Sequence, residues 1–350
     1  MKIGITKLIS ENIAPTDAKN LAIYDGDKKV CAVDIARIKP TLGTPLYSFC
    51  ALSDVHINQE TANEDFQRAL TFVENSDCLF TCISGDLVIN GTESELNDYK
   101  RIVDTHSPTK PVYAITGNHE NYSTVSKDFL QDYTGHPLYY SFTQGNDVFI
   151  MLGHYGGYGG DGIGWQPSEM FSQAEIQWFY ETLEANRNKR CFVFIHPLPM
   201  EHNVGNPCGL YTTAPIFRTN QELGIKVINL LKHYKNTILF HGHSHFRLKM
   251  QEVDTKANYS SAFGYKSVHI PSLASPRGTI DETTGGATGA TIYAESEGYI
   301  VDVYGDCIVL NGRDFIDNEA DGHDIPIARY KIDTSIVNVE SKPKEYFGIS

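Results

Sequence analysis

Leu79-Phe80-Thr81-Cys82-Ile83-Ser84-Gly85-Asp86 is an apolar run that stops at a glycine and a carboxylate. The same design recurs along the chain. Tyr47 to Leu52 leads into Asp54-Val55-His56, and Val112 to Ile115 into Gly117-Asn118-His119-Glu120. Cys191 to Ile195 ends at His196, and Thr237 to Phe240 at His241-Gly242-His243-Ser244-His245. Between these runs, residues 63–75, 92–104, 172–186 and 221–233 carry apolar residues at three- and four-residue steps, which predicts helices. Thr92 with Glu95, and Ser172 with Glu175, are capping-box signals at two helix starts. Alternating strands and helices predict an α/β fold, and open α/β sheets carry their ligand sites at the C-terminal ends of strands.

The residues at those ends share one chemistry. Two neighbouring cations need a bridging carboxylate and terminal ligands on each side. Asp54 and His56 lie two apart, so on an extended segment both side chains point one way and can reach one metal. Asp86, with two oxygens, is the natural bridge. Asn118 adds a neutral amide oxygen that limits the negative charge. His196, His243 and His245 supply imidazole nitrogens, the last two serving different metals if their loop bends. Mixed oxygen and nitrogen donors suit two divalent or trivalent ions of manganese, iron or zinc better than calcium. An Asp-x-His or a Gly-Asp alone is common by chance; the shared order and strand-end placement carry the reading. His241 is expected to be structural.

The chain has 350 residues and a formal net charge of -14. That charge disfavours nucleic acid as a partner, because a polyanion is repelled by a broad acidic surface. A small phosphate ester can still enter a locally cationic metal pocket. The seven cysteines show no paired spacing, which fits buried apolar roles in a reduced compartment. No run of about eighteen apolar residues predicts a membrane span. The first residues carry no apolar stretch of signal-peptide length, so a cytoplasmic location is expected. After residue 265 the pattern turns mostly to strands, which predicts a second sheet packed on the first. Residues 1–45 read as a small β-type extension, with Asp25-Gly26-Asp27 as a hairpin signal and Thr41 to Pro45 as a linker. Too small for a core of its own, it is expected to attach to the main domain, residues 46–350, or to a protein partner.

The motif series resembles the calcineurin-like metallophosphoesterase family: Asp-x-His, Gly-Asp-x-x-Asp, Gly-Asn-His-Asp/Glu, a lone His and Gly-His-x-His. The spacings agree, with 28 residues between His56 and Gly85 and 30 between Asp86 and Gly117. Gly85 to Gly91 and Tyr113 to Glu120 are similar to its cyclic-nucleotide phosphodiesterase-like branch. The resemblance implies a four-layer αββα sandwich. It assigns Asp54, His56, Asp86 and His245 to one metal, and Asp86, Asn118, His196 and His243 to the other. It implies hydrolysis of a small phosphodiester by a metal-bridging hydroxide, with His119 protonating the leaving alkoxide. The alternatives are a phosphomonoesterase of nucleotidase or acid-phosphatase type, or a hydrolase module tethered by residues 1–45. Ile89 stands where the motif has its last Asp, which orients the catalytic histidine in protein phosphatases; Asn90-Gly91 replaces their Arg-Gly. The metals are expected to survive this change, and a protein phosphatase role is disfavoured. Arg277, Tyr155 and His202, in loops after strands, are the candidate substrate contacts.

Overall fold

The computed structural model describes residues 21–25, 28–33, 42–122, 127–153, 171–197, 221–249, 258–261, 264–280, 287–316 and 323–350. In chain order the elements begin with β1 (Leu21–Asp25), β2 (Lys28–Val33), β3 (Tyr47–Leu52), α1 (Ala62–Asn75), β4 (Cys78–Ser84), α2 (Glu93–His106) and β5 (Val112–Ile115). They continue with α3 (Lys127–Thr134), β6 (Tyr139–Gln144), β7 (Asp147–Leu152), α4 (Gln173–Ala185), β8 (Cys191–Phe194), α5 (Gln221–His233) and β9 (Thr237–His241). The last are β10 (Tyr259–Ser260), β11 (Lys266–His269), β12 (Arg277–Ile280), β13 (Ala287–Thr291), β14 (Glu297–Val303), β15 (Cys307–Asp314) and β16 (His323–Asp333). Both expected capping boxes are formed, at Thr92/Glu95 and at Ser172/Glu175.

Two six-stranded sheets run in the orders β10-β11-β9-β8-β7-β6 and β16-β15-β14-β3-β4-β5. β7, β8, β9 and β11 are parallel in the first, and β3, β4 and β5 in the second. Period-2 alternation on strands buried on both faces sorts their side chains into three cores. Phe49, Phe149, Phe192, Phe194 and Phe240 fill the space between the sheets. Ile150, Val193 and Leu239 meet α4 and α5 through Ile176, Phe179 and Leu230. Cys50, Leu52 and Ile83 meet α1 and α2 through Phe66, Leu70 and Leu96. The result is the four-layer αββα sandwich. Cys50, Cys78, Cys82 and Cys191 are buried free thiols, as their apolar runs predict.

The expected second sheet packed on the first is present, and the late strands are divided between the two sheets. β11 pairs with β9 in the first sheet, while β14 pairs with β3 and carries β15 and β16 into the second. An open strand edge must be paired or covered, and each parallel set takes late strands along one side. α3, β6 and the β12–β13 hairpin were not expected from the sequence. Among the described residues, β1 and β2 pair only with each other. No described helix is long and apolar enough to cross a membrane.

At the N-terminal ends of β3 and β7, a buried ion pair joins the sheets. Arg190 binds Asp147 through Nε (3.0 Å) and Nη2 (2.6 Å), and its Nη1 donates to Tyr304 O (2.7 Å) and Thr334 Oγ1 (2.8 Å). The Tyr47 hydroxyl donates to Asp147 Oδ2 (2.7 Å) from the opposite sheet. Arg190→Met is expected to destabilise the fold by about 3–5 kcal/mol, because it strands a buried carboxylate. Urea denaturation checks this; a loss under about 1 kcal/mol, the scale of an exposed pair, would contradict it.

Candidate metal centre

The C-terminal ends of the parallel strands in both sheets face one place. β3 delivers Asp54 and His56, β4 delivers Asp86, and β5 delivers Asn118 and His119. From the other sheet β8 delivers His196, and β9 delivers His243 and His245. Asp54 N donates to Gly85 O (3.1 Å) and His56 N to Asp86 O (3.0 Å), so the first two loops run side by side. Gly242 and Gly117 permit the closest approaches: a Cβ at Gly242 would overlap Ser53 Oγ and Asp54 Oδ2, and one at Gly117 would overlap Asp86 Oδ1. Asp54, His56, Asp86, His243 and His245 all have left-handed backbones, with φ of 53°, 48°, 50°, 75° and 61°. Each such non-glycine residue costs about 1–2 kcal/mol, strain of the kind that clusters at functional sites.

The donor atoms form two groups sharing Asp86: Asp54, His56, Asp86 and His245, then Asp86, His196 and His243. In the first, His245 Nε2 lies 2.9 Å from Asp54 Oδ1 and 3.1 Å from His56 Nε2. His56 Nε2 lies 3.8 Å from Asp54 Oδ1 and 3.9 Å from Asp86 Oδ2. In the second, His196 Nε2 lies 3.1 Å from Asp86 Oδ2, 3.1 Å from Asn118 Oδ1 and 3.2 Å from His243 Nδ1. Bonds of about 2.1 Å to a small cation place adjacent ligands about 3.0 Å apart in an octahedron and about 3.4 Å apart in a tetrahedron. The short separations match ligand edges. Asp54 Oδ1 is buried without an aligned hydrogen bond, despite the nearby imidazole. The residues present therefore fit two cations.

The profile of the calcineurin-like phosphoesterase family matches residues 47–247. The chain belongs to that family. No curated protein sequence matches it significantly. Solved structures share its fold. GAP50, the anchor in the inner membrane complex of Plasmodium, aligns with a TM-score of 0.52 at 13% identity, over 86% of this chain and 92% of that one. The purple acid phosphatase PPD1 from yellow lupin (Lupinus luteus) seeds aligns with a TM-score of 0.51 at 15% identity, over 83% of this chain and 54% of the lupin enzyme. Calcineurin-like phosphoesterases are metal-dependent phosphoester hydrolases that typically hold two metal ions, and this member carries a matching cluster of Asp and His donors.

The electrostatics of this calcineurin-like centre favour cation binding. Burial opposes charge on Asp54 and Asp86, but His245 beside the first and His196 beside the second hold both well below the usual carboxylate range. Burial and the neighbouring His245 depress His56, and burial with His196 takes His243 down to about 3. Both imidazoles are therefore neutral, as a ligand must be. His196 is the exception: burial opposes its charge, yet Asp86 and Asp54 lift it to about 9.

Sequence reasoning did not find the groups that aim these donors. Ser53 Oγ donates to Asp54 Oδ2 (2.6 Å), and His196 Nδ1 faces Ser84 O (2.7 Å), which directs Nε2 inward. His245 Nδ1 meets Ser275 Oγ (2.9 Å), and the Ser272 hydroxyl donates to Asp54 O (3.0 Å). Serines are too common for their positions to signal this. His119 Nδ1 meets the backbone carbonyl of Ile89 (2.6 Å), so a main-chain oxygen at position 89 holds the ring where the family motif uses a carboxylate. His119 Nε2 then points inward, 3.7 Å from Asp86 Oδ2. His241 is fully buried and its ring lies 5.7 Å from that of His269, outside both donor groups. Arg277 is half-buried beside the centre, its backbone N–H donating to His245 O (2.6 Å). Tyr155 and His202 lie outside the described residues.

Glu120 fastens two of the loops. Its Oε1 accepts from Leu87 N (2.6 Å) and Val88 N (3.1 Å), and its Oε2 from Gly117 N (2.5 Å). In Glu120→Gln, either amide orientation sets an N–H against an N–H. Metal affinity is expected to fall about 10–100-fold, the scale for losing an outer-shell partner. Calorimetric titration of metal-free protein tests this, and wild-type affinity in the variant would refute it.

Proposed function

We propose that this calcineurin-like phosphoesterase hydrolyses a small phosphodiester. The observation that carries the reading is the convergence of two donor groups on Asp86, with His119 Nε2 turned toward the same carboxylate. Asp54, His56, Asp86 and His245 hold one cation, and Asp86, Asn118, His196 and His243 the other. When bound, the two cations supply an acidified water to attack phosphorus and neutralise charge on the phosphoryl oxygens. The mixed donor set favours manganese, iron or zinc.

His119 supplies the proton. Its Nδ1–H is committed to Ile89 O, so Nε2 gives its proton to the departing alkoxide oxygen from the imidazolium form, in which both ring nitrogens carry hydrogen, and the ring is left neutral. The ring is fixed between His56, 4.5 Å away centroid to centroid, and Tyr122, 4.4 Å away. Arg277 stands beside His245 and steadies a non-reacting phosphate oxygen.

The diester reading is supported by the similarity of Gly85 to Gly91 and Tyr113 to Glu120 to the cyclic-nucleotide phosphodiesterase-like branch. Manganese-loaded protein is therefore expected to turn over bis-p-nitrophenyl phosphate with a higher kcat/KM than p-nitrophenyl phosphate. The opposite preference would make it a phosphomonoesterase. His119→Ala is expected to lower kcat by about 10²–10⁴-fold with its two cations retained by elemental analysis. A variant near wild-type rate would remove His119 from this role.

Residues 46–350 are read as the catalytic unit and residues 1–45 as an attachment segment for a protein partner. The support is the β1–β2 hairpin, which joins neither six-stranded sheet among the described residues. A chain shortened to 46–350 is expected to keep its turnover. Loss of activity with an intact thermal transition would instead tie the first 45 residues to catalysis.

A further inference from the structure

Asn118 is the one donor at the centre with two chemically different ends. Its amide oxygen can serve a cation and its NH2 cannot. Something must therefore hold the plane of a side chain whose terminal torsion is soft. Asn118 Oδ1 faces His196 Nε2 at 3.1 Å, while Nδ2 donates to the Tyr122 hydroxyl at 2.7 Å. Asn118 is only 6% exposed, so few solvent contacts could replace that acceptor.

The chain places Tyr122 for this contact by a short local route. A 3-10 turn spans His119–Asn121, closed by Asn121 N donating to Asn118 O (3.1 Å) and Tyr122 N to His119 O (3.1 Å). Asn121 Nδ2 donates back to Gly117 O (3.0 Å), which fastens the turn to the strand end. The turn thus sets the Tyr122 hydroxyl against the amide four residues earlier. The tyrosine ring has a separate contact, packing against His119 at 4.4 Å. Hydroxyl and ring can therefore be tested apart.

We propose that Tyr122 is a positioning residue for one of the two cations. Its hydroxyl locks the Asn118 amide with the oxygen inward and so completes the Asp86, Asn118, His196 and His243 set. The inference rests on the two-cation reading above. It adds an asymmetry, because Asn118 serves one cation only. Losing the hydroxyl must weaken that site and spare the Asp54, His56, Asp86 and His245 site.

The test is titration calorimetry of metal-free protein with Mn2+, alongside thermal melting to confirm folding. Wild type is expected to bind two Mn2+. In Tyr122→Phe, which keeps the ring on His119, one site should be unchanged and the other weaker by about 10–100-fold, the range for losing an outer-shell partner. Asn118→Asp supplies the control, because a carboxylate presents an oxygen either way up. In that background Tyr122→Phe should add no further loss. Two wild-type affinities in Tyr122→Phe, or equal weakening of both sites, would overturn the inference alone. A wild-type chain binding fewer than two Mn2+ would overturn the two-cation reading and this inference with it. Where Tyr122→Phe fails to fold, the melting curve shows it, and the hydroxyl's role is overturned in favour of a structural one.

Discussion

Asp54 and Asp86 are carboxylates with at most 1% exposure, set close enough to share one environment. Buried charge is unfavourable unless it is compensated, and here the ion-pair partners among the described residues are imidazoles. Imidazoles compensate only while protonated. Burial and neighbouring imidazoles keep His56 and His243 neutral, while Asp86 and Asp54 raise His196 against its burial. A pair of cations would resolve this frustration, because His56, His196, His243 and His245 could then all be neutral with both carboxylates charged. The surrounding architecture serves to keep those two acids together.

The sandwich does this by aligning strand ends from both sheets. The phenylalanine layer sets the distance between sheets, with Phe49 and Phe149 edge to face at 5.2 Å and Phe194 and Phe240 stacked at 4.9 Å. At the site the sheets are stitched directly: the Ser84 hydroxyl donates to Ile195 O, and His196 Nδ1 to Ser84 O. The Arg190–Asp147–Tyr47 network does the same at the other end. Fixed at both ends, the sheets hold five strained Asp and His residues in left-handed backbones that isolated loops would abandon.

Much of this was legible in the sequence because the relevant signals are local. A strand buried on both faces reads as a short apolar run, and a capping box needs only Thr92 and Glu95 or Ser172 and Glu175. The donors were legible because Asp, His and Asn at strand ends carry their chemistry in their identity. Strand partners were not. β14 finds β3 across more than two hundred residues, and nothing in Glu297 to Val303 names that neighbour. The aiming groups were also hidden. Ser275 lies 30 residues from the histidine it orients, and Tyr122 is one tyrosine among 20.

At position 89 the working atom belongs to the main chain. Any residue that keeps the same backbone path offers an equivalent carbonyl to His119, so the side chain there is released from the chemistry. Evolution can then exchange isoleucine for another apolar residue without disturbing the contact that holds the His119 ring. Searches that demand an acid at this point would discard such chains as inactive. Scanning related sequences for the course of the peptide, rather than for a letter, is the way to recover them.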